Sequence, residues 1–77
     1  MDDIKGRVIK LIADQAGVSE GDITGDTNLQ GDLELDSLDI MDLLLVLEEE
    51  FELQIPDEEL GKIQTVNDIV TYIQNNQ

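Results

Sequence analysis

Between Asp36 and Glu52 the apolar residues recur at helical spacing, and they do so on two sides of the helix at once. Projected at about 100° per residue, Ile40, Leu43, Leu44, Leu47 and Phe51 cluster on one side. Leu38, Met41 and Leu45 fall opposite, flanked by Asp42, Glu48, Glu49 and Glu52. A core-facing amphipathic helix needs only the first group. The segment therefore reads as a helix from about Ser37 to Phe51, with Asp36 as its N-cap. The rest of the fold has to cover its first face. The second face is a small apolar strip ringed by carboxylates, which suits either a docking surface for a basic, partly apolar partner or packing under a neighbouring loop or helix.

The material for covering the first face is aliphatic. The chain has 77 residues, 40% of them hydrophobic, with Phe51 and Tyr72 as its only aromatics. A chain of that size buries only about 60% of its unfolded surface. That suffices for one compact core, and one domain over residues 1–77 is expected. Ile4, Val8, Leu11, Ile12 and Ala16 predict a first helix over residues 3–16, capped by Asp2 or Asp3 and ended at Gly17. Residues 18–36 show no sustained period and read as a long crossover, pinned to the core by Val18, Ile23, Leu29 and Leu33. Pro56 opens a short third helix, since proline is tolerated in a first turn. Thr65 and Asp68 form a capping-box pattern before a fourth helix whose Val66, Ile69, Val70 and Ile73 share a face. No segment alternates like a strand. The expected fold is an all-α four-helix bundle, three longer helices and one short, with a long loop between the first two.

Formal charge is −15, from 19 acids against 4 bases. Nucleic acid is excluded as a partner, because its binding rests on neutralising phosphates with Lys and Arg. Partners with basic patches are favoured, and steering would speed their encounter. With no Cys and no His, disulfides, zinc sites and thiol or imidazole catalysis are excluded too. The acidic start and the lack of a long apolar run predict a soluble protein with no membrane span, cytoplasmic or the mature form of an organelle protein.

Ser37 then stands out. It opens the long helix in Asp36-Ser37-Leu38-Asp39, yet a serine hydroxyl is a poor nucleophile without a positioned base. Lys5, Arg7, Lys10 and Lys62 are the only bases, and none is near it in sequence. No catalytic residue is assigned and the chain is not read as an enzyme. Ser37 reads as a residue modified by another protein.

Asp36-Ser37-Leu38-Asp39, Leu43, Leu47-Glu48-Glu49-Glu50-Phe51 and Ile55-Pro56-Asp57-Glu58-Glu59 together resemble the acyl carrier proteins. Lys62-Ile63, Thr65-Val66 and Tyr72-Ile73 extend the resemblance over essentially the whole chain. It implies that Ser37 carries a covalent 4′-phosphopantetheine arm, donated by coenzyme A through a phosphopantetheinyl transferase. The arm's thiol would hold acyl intermediates as thioesters for fatty-acid, lipid or polyketide synthesis. The absence of cysteine is then no obstacle. The resemblance also implies docking of acyl-transferring, condensing and modifying enzymes, through their basic patches, on Asp36, Leu38, Asp39, Met41, Asp42, Leu45, Glu48 and Glu49. It implies an acyl cavity between the second and third helices, with Leu44, Leu47, Leu60 and Ile63 as lining residues or plain core. A monomer is expected. Glu34-Leu35 stands where the housekeeping carriers usually have Gly-Ala, Leu29 where Phe is common, and Gly61 where a charge is frequent. Both a housekeeping and a specialised carrier stay open.

Two rival readings come from the acids. Residues 26–37 follow EF-hand spacing for several positions, but the twelfth, which must supply a bidentate carboxylate, is Ser37. No metal ligand is assigned. An acidic adaptor or loose cation binder without a prosthetic group is the alternative, and it has no use for Ser37.

Overall fold

The computed structural model describes residues 3–76. Its helices are α1 (Ile4–Ala16), α2 (Ser37–Phe51), α3 (Asp57–Leu60) and α4 (Val66–Asn76). The four-helix expectation holds. A 3₁₀ turn at Glu20–Asp22 and an isolated antiparallel bridge between Asn28 and Thr65 are the additions. Both lie where local spacing gave no signal, because tertiary hydrogen bonds create the bridge.

Helix boundaries follow from their caps. The Asp3 carboxylate accepts from the Gly6 amide at 3.0 Å, and Gly17 ends α1 at φ 72°, the left-handed conformation glycine adopts without penalty. Asp2 lies outside the described residues. Thr65 and Asp68 cap α4 reciprocally: the Asp68 amide donates to the Thr65 hydroxyl at 3.3 Å, and the Thr65 amide to the Asp68 carboxylate at 3.1 Å. The Gln64 amide donates to that carboxylate as well, at 3.0 Å. These bonds, the Gln64 amide foremost, hold the Asp68 carboxyl below its ordinary 3.8, with burial opposing them.

One aliphatic core binds the elements together. Val8, Ile12, Leu43, Leu47, Val66, Ile69 and Ile73 are fully buried, and α1 packs on both α2 and α4. The crossover joins the core through Ile23, Leu29 and Leu35. Val18 does not pin it as expected, being 37% exposed, while Leu33 packs against the core in part. Hydrogen bonds do more of the work: Leu29 N–H donates to the Gln64 carbonyl (2.9 Å), Val66 N–H to Thr27 (3.2 Å) and Asn67 N–H to Gly25 (2.8 Å). The loop is thus stitched to the start of α4, which leaves its last residues to deliver the chain into α2.

Candidate functional site

Ser37 is exposed at the first position of α2. Asp36 and Asp39 fix this helix start as a capping box: Asp39 N–H donates to the Asp36 carboxylate at 2.9 Å, and Asp36 N–H to Asp39 at 3.4 Å. Among the described residues, the Ser37 and Leu38 amides have no protein acceptor, and the Ser37 hydroxyl makes no side-chain hydrogen bond. These free amides lie at the positive end of the helix dipole. Just before the cap, Glu34 takes φ 56°, a left-handed backbone at a residue with a side chain, and Leu35 turns into the core.

Beside Ser37 lies a hollow of about 220 Å³ between α2 and the α3 region. Ile40 and Met41 form one wall and Leu60, Gly61 and Ile63 the other, with Gln30 and Gln64 at its rim. A second hollow of about 90 Å³ follows along α2, lined by Met41, Leu44, Leu45, Glu48, Ile55 and Leu60. Of the expected cavity residues, Leu60 and Ile63 line the first hollow and Leu44 and Leu60 the second. Leu47 lines neither, because it is fully buried in the core. Ile40, Gly61 and the two glutamines also line the first hollow, beyond the residues expected there. Nothing in helical spacing reveals an opposing wall that comes from another element.

The outer strip of α2 is open. Leu38 is 71% exposed, Met41 47% and Leu45 57%, so neither the crossover nor α3 covers them. Asp42 and Glu49 are exposed beside the strip and make no side-chain hydrogen bond among the described residues. Asp36 and Asp39 are exposed but engaged in the cap. Glu48 differs from the rest: it is half-buried, and its carboxylate accepts from the Ile55 amide at 2.6 Å, tying α2 to the segment before α3. In the 26–37 stretch two polar side chains are likewise taken up by nearby backbone amides. Asn28 accepts from the Gln30 and Gly31 amides, and Asp32 from the Asn28 amide.

A model of the family described as "Phosphopantetheine attachment site" matches residues 6–73. The chain belongs to the acyl carrier proteins. The family's covalent prosthetic group is phosphopantetheine, and its members are carriers rather than catalysts. Solved structures agree with that placement. A protein of Anaplasma phagocytophilum described as a putative acyl carrier protein shares 39% identity at TM-score 0.85, over 96% of this chain and 88% of its own. The acyl carrier protein of Enterococcus faecalis shares 35% identity at TM-score 0.82, over 96% of this chain and 94% of its own. As carriers, such proteins meet a phosphopantetheinyl transferase and biosynthetic enzymes. No described helix of this chain is long and apolar enough to cross a membrane.

Proposed function

We propose that Ser37 is the attachment residue of a single carrier domain that delivers acyl groups to enzymes of fatty-acid, lipid or polyketide synthesis. The observation that carries this is an exposed, unengaged hydroxyl at the head of α2, beside a hollow with apolar walls, in a chain of the phosphopantetheine-attachment family. The residues present fit the group. The free Ser37 and Leu38 amides at the dipole's positive end favour a phosphodiester there, and exposure admits a transferase. Attachment forms the Ser37 Oγ–P bond as the pyrophosphate link of coenzyme A breaks. The nucleotide half leaves, and the hydroxyl proton passes to the transferase, since the nearest carboxylates, Asp36 and Asp39, are engaged in the helix cap. Once attached, the group supplies the thiol that bears the acyl chain.

Partners dock on the open strip of Leu38, Met41 and Leu45 with Asp42 and Glu49 beside it, and Asp36 and Asp39 add charge while holding the cap. Glu48 serves this face mainly as a tie to Ile55. Incubation with coenzyme A and a broad-specificity transferase tests the assignment by mass spectrometry. One added phosphopantetheine on Ser37, absent in Ser37→Ala, is expected. An unmodified chain would favour the acidic adaptor instead.

A further inference from the structure

The two hollows beside α2 share two lining residues, Met41 and Leu60. On α2, the residues that face them are Ser37, Ile40, Met41, Leu44, Leu45 and Glu48, at i, i+3, i+4, i+7, i+8 and i+11. That spacing is one continuous helix face. At 1.5 Å per residue, Met41 lies about 6 Å along the axis from Ser37, and Glu48 about 10 Å further. So the first hollow borders Ser37, the second lies beyond it on the same line, and Met41 from α2 and Leu60 from α3 line both where the two adjoin. Glu48 and Ile55, which line the far part of the second hollow, are tied together by the bond from the Ile55 amide to the Glu48 carboxylate at 2.6 Å.

We propose that Met41 and Leu60 form a bar that sets the length of acyl chain this protein encloses. The inference rests on Ser37 as the attachment residue. The first hollow, at about 220 Å³, is smaller than the roughly 300–1,000 Å³ of pockets that take drug-sized ligands, so it suits a short chain. Its apolar walls take the hydrocarbon, while Gln30 and Gln64 at the rim offer amides to a polar tether. The bar consists of side chains alone. Met41 is unbranched and half-exposed, so trimming it joins the hollows without cutting into the core, whereas Leu60, at the end of a four-residue helix, also packs against the core. Because the added hollow is only about 90 Å³, the gain is a few carbons.

The test loads even-numbered acyl chains from butanoyl to dodecanoyl onto Ser37, using the transferase and each acyl-coenzyme A, and confirms loading by mass. A chain that accepts no arm overturns the attachment reading, a result distinct from any change in the length profile. Thioester cleavage by hydroxylamine then reports enclosure. Each methylene taken out of water shifts the enclosed-to-exposed balance about fourfold, so cleavage slows with chain length until added carbons stay outside. In the wild type the slowing stops at a short chain. In Met41→Ala and Leu60→Ala it continues for a few carbons more, and in Met41→Phe it stops no later than in the wild type. Circular dichroism confirms that each variant is folded. Met41 is half-exposed, so the methionine pair decides the matter even where Leu60→Ala unfolds. Identical length profiles in wild type and Met41→Ala overturn the bar, as does a wild-type profile that is flat or still falling at dodecanoyl.

Discussion

Glu34 holds φ 56° two residues before the Asp36 cap, a conformation that costs a residue with a Cβ about 1–2 kcal/mol. Glycine escapes that cost but gives back about 0.5–1 kcal/mol through its freer unfolded chain. Glu34→Gly is therefore expected to stabilise the fold by about 0.5 kcal/mol in urea melts, and Glu34→Val to destabilise it. A second residue-scale consequence concerns Glu48. Removing a charged acceptor from the half-buried Ile55 amide costs about 1.5–3 kcal/mol, so Glu48→Ala should lower the melting temperature markedly, while the exposed Glu49→Ala should leave it nearly unchanged. Asp68 carries a pH signature. Its carboxyl is held below 3.8 in the folded state by the Gln64 and Thr65 amides, so its stabilisation is full above about pH 4 and is lost as pH falls through the lowered value. Comparing the wild type with Asp68→Asn cancels the titration common to all the other acids. The stability gap between the two should be widest near neutrality and should close below pH 3.8; a gap that widens in acid would contradict the cap. The sequence made the Thr65–Asp68 cap legible, because a cap is local. It did not reveal the Glu48–Ile55 tie, seven residues apart, in which one acid among four looks like the rest until α3 is in place.

At the scale of elements, α2 has to do two jobs. Its Ile40, Leu43, Leu44, Leu47 and Phe51 enter the core as the helical projection required. Its outer strip is left open, a point that periodicity alone could not decide between docking and burial. Docking should thus depend on acids that are free to meet a partner. Asp39 and Glu48 are both bound to backbone amides, whereas Asp42 and Glu49 are not. Reversing Asp42 and Glu49 to Lys is expected to slow association with the transferase by about tenfold or more at low salt and to flatten its salt dependence, with the melting temperature nearly preserved. Stopped-flow rates across a salt series check this; unaltered association rates would count against an acidic docking face. On the other side of the bundle, Arg7 clasps α1 to α2. Its guanidinium stands 4.5 Å from the Phe51 ring centroid and 3.1 Å from Glu50. Exposed contacts of both kinds contribute little singly, so Arg7→Gln should cost about 1 kcal/mol, read from denaturation curves. Helical period placed Phe51 in the core, but only the packed structure shows a cation above its ring.

The whole molecule is compact, 30 × 26 × 19 Å, with a radius of gyration of 11.2 Å, close to the roughly 11.5 Å of a folded chain of this length. Into that volume it packs a formal charge of −15. Only two ion pairs are formed among the described residues, Arg7–Glu50 and the looser Lys62–Glu59 at 3.9 Å, so most of the repulsion goes unanswered from within. The acids that serve structure use backbone amides as partners, as Asp36, Glu48 and Asp68 do, and local donors cannot relieve repulsion across the molecule. Counterions can. The Debye length falls from about 30 Å at 0.01 M salt to about 8 Å at 0.15 M, from the size of the protein to well inside it. If screening recovers about 1 kcal/mol over that range, the melting temperature rises by about 4–8 °C. The same screening acts in the opposite sense on encounter with a basic partner, because it removes the attraction that steers the two together. Melting temperature and transferase association rate, measured over one salt series, are therefore expected to move in opposite directions. A neutral osmolyte of equal osmolarity should leave the association rate largely unchanged. A melting temperature that stays flat or falls with salt would show that the surplus acids keep the protein soluble without straining its fold.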